Sequence, residues 1–138
     1  MWRMRLADSF SPAQPSRAPS ITLGARAEDI ACEYLQNQGL KLKDRNYRTR
    51  RGEIDLVMQS DDGLIFVEVR YRSSNQYGSP GDSITPCKCQ KIVAAAQEYL
   101  ISHGYGGDTP MRVDAILITP TSGDHLNCTI NWIENILT

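Results

Sequence analysis

Arg51-Gly52-Glu53-Ile54-Asp55-Leu56-Val57-Met58, followed across Gln59-Ser60-Asp61-Asp62-Gly63 by Leu64-Ile65-Phe66-Val67-Glu68-Val69-Arg70, decides the fold. Two apolar runs rich in Val, Ile, Leu and Phe flank a segment of Ser, Asp and Gly, which predicts a β-hairpin turning over residues 59–63. The same runs carry Glu53, Asp55, Glu68 and Arg70, in segments from which burial ordinarily excludes charge. Side chains two residues apart share a strand face, so Glu53 goes with Asp55 and Glu68 with Arg70. Paired strands lie ~4.8 Å apart, so acids on the two strands can meet around one ion. Gathered carboxylates repel unless a hard cation or a neighbouring Arg or Lys neutralises them. A blander reading stays open: Asp55 and Glu68 on the solvent face of a one-sided sheet, with Arg70 pairing to Glu68. The order Asp, then Glu-x-Arg across a turn, favours the ion-binding one.

The 138 residues suffice for one domain with its own core. A composition that is 41% hydrophobic and 22% charged excludes a disordered chain. No apolar run approaches the roughly 18 residues of a membrane span, and the first residues lack the apolar core of a secretory signal. A cytoplasmic protein is expected, with Cys32, Cys87, Cys89 and Cys128 as free thiols. Cys87-x-Cys89 is one residue too tight for the usual zinc spacing.

The net charge of −1 argues against a protein that coats nucleic acid, but the charge is unevenly spread. Lys41, Lys43, Arg45, Arg48, Arg50 and Arg51 crowd eleven residues against the single acid Asp44, and Arg70 and Arg72 follow the hairpin. A basic stripe beside clustered carboxylates suits metal-dependent chemistry on phosphodiesters. A solvated charged loop is the other reading of the stripe taken alone.

Residues 1–21, rich in Ser and Pro, are expected to form a mobile tail ahead of a domain spanning 22–138. Thr22 caps a predicted helix in which Leu23, Ala27, Ile30, Ala31, Tyr34 and Leu35 recur at helical spacing, up to Gln38-Gly39. Glu28 falls on the margin of its apolar stripe, while Asp29 and Glu33 turn to solvent. Residues 40–48 predict a strand, the hairpin two more, and residues 73–83 a loop long enough to be functional, with Tyr77 in it. Thr85-Pro86 opens a second helix whose stripe is Cys89, Ile92, Val93, Ala96, Tyr99 and Leu100. Residues 112–118 and 128–133 predict the last strands, joined by a turn over residues 120–124; His103 and His125 are assigned no role. This order gives an α/β fold, a mixed central sheet flanked by helices.

These elements, with Asp55 and Glu68-x-Arg70 on a central hairpin and Glu28 on the helix before it, resemble the restriction-endonuclease-like PD-(D/E)xK nuclease fold, an αβββαβ core. Gly24-x-x-x-Glu28, Arg45-Asn46-Tyr47-Arg48, Gly52-Glu53-Ile54-Asp55-Leu56, Phe66-Val67-Glu68-Val69-Arg70-x-Arg72 and Arg112-Val113-Asp114 are similar to motifs of the YraN family, itself similar to archaeal Holliday-junction resolvases. The resemblance covers roughly residues 23–118. It implies a Mg²⁺- or Mn²⁺-dependent endonuclease acting on DNA, structure-selective for branched or single-strand-containing forms. Asp55, Glu68 and the Val69 carbonyl would hold the metal, with Glu28 supporting it directly or through water. Asp55, Glu68, Arg70 and Glu28 would then be the catalytic set, and Arg45, Arg48, Arg50, Arg51, Arg70 and Arg72 the nucleic-acid-binding set.

Arg70 departs from the Lys usual in that superfamily. An Arg stays charged and cannot serve as a base, though it can clamp phosphate at two points. The alternative is therefore a non-catalytic nucleic-acid-binding or scaffolding module on a nuclease fold. By analogy with enzymes that cut two strands, a symmetric homodimer is expected.

Overall fold

The computed structural model describes residues 7–13, 25–72, 84–121 and 127–137, and the backbone of 3–4. Its elements are β1 (Arg3–Met4), β2 (Asp8–Phe10), α1 (Ala27–Asn37), β3 (Lys41–Arg48), β4 (Glu53–Ser60), β5 (Gly63–Tyr71), α2 (Pro86–Ser102), β6 (Met111–Pro120) and β7 (Cys128–Glu134). The sheet runs β1-β7-β6-β5-β4-β3, with β2 also on β7. Only β5 and β6 are parallel among these pairings, and α2 makes the crossover a parallel pair needs. The α/β expectation holds, and the core is consistent with a nuclease-like one.

Both sheet faces are covered, which is why the central strands are apolar almost throughout. Leu56, Met58, Ile65, Val67, Ile116 and Trp132 pack under α1. Val57, Leu64, Phe66, Val113, Ala115 and Leu117 pack under α2. The expected turn over 59–63 tightens to Asp61-Asp62, because Gln59 and Ser60 remain paired with Leu64 and Gly63. Gly63 has φ +146°, and a Cβ there would meet the Pro110 carbonyl oxygen at 2.3 Å. Gly63→Ala should therefore cost about 3 kcal/mol, from strained backbone plus overpacking. A urea midpoint within error of wild type would show that the turn can shift to absorb the methyl.

α2 begins as expected: the Thr85 hydroxyl accepts from the Lys88 N–H at 3.1 Å and Pro86 occupies the first turn. α1 starts at Ala27, later than predicted, behind an Arg26 that makes no side-chain cap. Thr22 and Leu23 lie outside the described residues, as do the 73–83 loop with Tyr77, His125 and residues 122–126. Among the described residues no helix is long and apolar enough to cross a membrane.

Within residues 1–21, expected to form a mobile tail, the described segments lie on the sheet. Arg3–Met4 and Asp8–Phe10 pair antiparallel with β7. Phe10 meets the Tyr34 ring edge-on at 5.5 Å, the Tyr34 hydroxyl donates to the Asp8 carboxylate, and the Glu33 carboxylate accepts from the Ala13 N–H. Without these segments β7 would be an unpaired sheet edge. Two- and three-residue strands carry no readable period, so composition alone pointed to a tail.

Candidate active site

The site forms where the two central strands part. β4 and β5 are paired from Ser60 and Gly63 to Leu56 and Val67. Beyond that point β4 stays with β3 as far as Glu53, and β5 with β6 as far as Tyr71. The Val69 N–H, left without a ladder partner, donates to Asp55 Oδ2 at 2.8 Å. Strand alternation also breaks here: Ile54 packs on the α2 side and Leu56 on the α1 side. Opposite this break, by the register that pairs Arg45 with Leu56 and Tyr47 with Ile54, stands Asn46 at φ 52°. Asp55 thus sits in a fork between the faces.

On the α1 side a cavity of about 520 Å³ is lined by Glu28, Arg45, Asn46, Asp55 and Val69, among others. Burial and then Asp55 push the Glu28 carboxyl above its ordinary range, opposed by a hydrogen bond with Asn46 and by Arg45. On the α2 side Glu68 is 3% exposed and faces two cations. Arg70 Nε lies 3.2 Å and Lys88 Nζ 3.4 Å from its Oε1. Burial and then Asp55 nevertheless push the Glu68 carboxyl up to about 7. Asp55 is also raised, chiefly by burial, against the Val69 hydrogen bond.

Asp55 is thus electrostatically coupled to both Glu28 and Glu68, which approach the fork from different sides. The three carboxylates do not close into a cage: among the described residues no group of three or more His, Cys, Asp or Glu side chains converges well enough to hold a metal. The donor set still fits Mg²⁺, which keeps several waters and takes one or two carboxylates rather than a protein cage. Asp55 and Glu68 are two hard oxygen donors, both destabilised as anions where they stand.

The predicted basic set divides. Arg45 is committed to α1, with its Nη2 2.6 Å from Asp29 and 4.0 Å from Glu28. That contact also engages Asp29, which its place on the helix alone would assign to solvent. Arg70 is committed to Glu68, and Arg72 has partners of its own. Arg48, Arg50 and Arg51 are exposed at the site end of the sheet, whereas Lys41 pairs with Gln59 at the far end. Arg112-Val113-Asp114 serves the fold: buried Asp114 accepts from Arg112, the Trp132 indole N–H and the Asn135 N–H. Lys88 and Asn46 were missed as site residues. Lys88 carried no local signal, since only the crossover through α2 brings it over Glu68.

An α/β fold with a nuclease-like core, carrying coupled acids at a strand fork, is the class these features define. The family model described as "Uncharacterised protein family UPF0102" matches residues 27–118. The chain is 51% identical over 112 residues to a UPF0102 protein of Nitrosomonas europaea, covering 81% of this chain and 90% of that one. It is 48% identical over 100 residues to one from Nitrosococcus oceani, covering 72% and 81%. With one from Vibrio vulnificus the identity is 38% over 117 residues, covering 84% and 92%. The chain belongs to the UPF0102 (YraN) family, as its motifs implied.

Proposed function

We propose that the chain is a Mg²⁺- or Mn²⁺-dependent endonuclease acting on DNA, with branched or single-strand-containing DNA as its substrate. One observation carries the reading: a half-buried and a buried carboxylate, Asp55 and Glu68, repel each other at a strand fork beside cationic side chains. A protein that only bound DNA would gain by losing them. Bound there, with the Val69 carbonyl and Glu28 in support, the metal would supply Lewis-acid charge and an activated water.

The chain's own groups divide the remaining work. Arg70 stays charged at every working pH, so it can hold a phosphate oxygen and offset developing charge, but it cannot take a proton. Asn46 and Arg45 steady Glu28. The Val69 N–H fixes the Asp55 carboxylate, so its position does not depend on a bound ligand. A cut through both strands would require two such sites, hence a symmetric dimer.

The competing reading, a DNA-binding module without catalysis, draws on Glu68 already being paired to Arg70 and Lys88. Calorimetric titration with Mg²⁺ and Mn²⁺ separates the two. Wild type should bind and Asp55→Asn should lose about 100-fold or more in affinity, the upper range seen even for supporting partners of metal ligands. Equal binding by both proteins would remove Asp55 from any metal site. Arg70→Lys should leave metal affinity unchanged and raise the cleavage rate. DNA binding without cleavage in wild type and in Arg70→Lys would leave the binding module standing.

A further inference from the structure

We propose that a second cavity, between the β3–β4 turn and α2, is a phosphate site for the DNA strand that runs past Asp55 and Glu68. The proposal rests on the DNA-directed reading above and adds a subsite to it. The cavity holds about 390 Å³ and is lined by Arg48 from the end of β3, by Arg50 and Arg51 from the turn and by Lys88 and Lys91 from α2, against the single acid Glu53. Glu53 neutralises little, since it pairs only loosely with exposed Arg48, at 3.7 Å. Among the described residues the side chains of Arg50, Arg51 and Lys91 make no hydrogen bond or ion pair. Converging cations repel one another unless an anion lies between them.

A solvated basic loop would not need to be held in place, but this turn is. The Thr49 hydroxyl accepts from the N–H groups of Arg51 and Gly52, each at 3.1 Å, and donates to the Gly52 carbonyl at 3.0 Å. Gly52 lies so close to α2 that a Cβ would meet the Lys91 carbonyl oxygen at 2.5 Å. The turn and the helix are therefore clamped together, and their cations face a common space.

Two residues tie this space to the fork. Lys88 lines the cavity and also reaches Glu68. Arg48 lines both this cavity and the one containing Asp55. A rim of positive charge thus continues from the fork to Lys91, which suits successive phosphates of one strand better than a single small anion.

The test is binding of a fluorescein-labelled DNA strand to the full chain in EDTA, followed by anisotropy across a salt series. The double variant Arg51→Ala, Lys91→Ala should lose roughly tenfold in affinity, and its salt slope should fall by roughly 1.4, for two lost phosphate contacts. Both positions are exposed, and an unchanged urea midpoint would show the variant folded. Lys43→Ala, on the same strand as Arg48 but toward its opposite end, should bind as wild type. Asp55→Asn should show the same loss when the double substitution is added to it.

Wild-type affinity and slope in the double variant would overturn the phosphate site even if the protein cuts DNA. The expected loss in a protein that binds no metal and cuts nothing would keep the site and remove the nuclease. No binding of the strand by wild type would overturn the site as well. Displacement of the strand by inorganic phosphate at matched ionic strength would assign the cavity to a free anion and overturn the proposal.

Discussion

Glu68→Gln is expected to lower Mg²⁺-dependent cleavage of branched DNA by about 100-fold or more while DNA affinity holds or rises. The substitution keeps the shape and one carbonyl oxygen but loses the charge that competes for a divalent cation. Glu68 is the most deeply buried of the acids at the fork, so its loss leaves Asp55 with only Glu28 in support, and so few carboxylates hold Mg²⁺ weakly in water. Binding follows the opposite sign. Removing a negative charge beside Arg70 and Lys88 frees both cations for phosphate. The check is a single-turnover assay with Mg²⁺ and with Mn²⁺, alongside anisotropy in EDTA. Cleavage retained with both metals would take Glu68 out of the reaction; affinity lost together with rate would make it a DNA contact instead.

The hairpin was legible because its signal is local: two β-rich runs around a turn, interrupted by acids. The start of α2 was legible for a similar reason, since Thr85-Pro86 sets cap and first turn within two residues. What escaped depends on chain segments far apart in sequence. Asp8–Phe10 becomes a strand only because β7 offers an edge and Tyr34 offers a ring to pack on. Arg45 reads in sequence as one more cation of a stripe, yet Asp29 captures it once α1 lies along β3. Lys88 and Lys91 read as polar positions of an amphipathic helix, and their place beside Glu68 and Gly52 follows from the crossover. The acids themselves stood out in sequence, but not their division between faces. Asp55 and Asn46 sit where strand alternation fails, and a rule of alternating faces cannot anticipate its own exception.

The same substitution should stabilise the fold above neutral pH. Burial and the neighbouring Asp55 push the Glu68 carboxyl from 4.5 up to about 7, so the native state holds this proton more tightly than the unfolded chain does. Below pH 4.5 the group is protonated in both states and costs nothing. As pH rises from 4.5 to 7 the unfolded chain ionises first, and native stability falls. Above 7 both states are ionised and the whole cost, about 3 kcal/mol, is present. The amide introduced by Glu68→Gln stands in for the neutral acid at every pH. The variant should therefore gain about 3 kcal/mol at pH 8, near 10 °C in Tm, and almost nothing at pH 4. Arg70 and Lys88 lose an anion in the variant but keep 35% and 30% of their side-chain surface in water, and the buried Arg70 Nε makes no hydrogen bond to Glu68 that the variant would break. Urea denaturation of both proteins at the two pH values decides it, and an equal difference at each would show that ionised Glu68 carries no penalty in the fold. Mg²⁺ gives the sharper contrast: at pH 8 it should raise the Tm of wild type, because binding to the native state offsets the cost of the charged pair, and should leave Glu68→Gln unmoved.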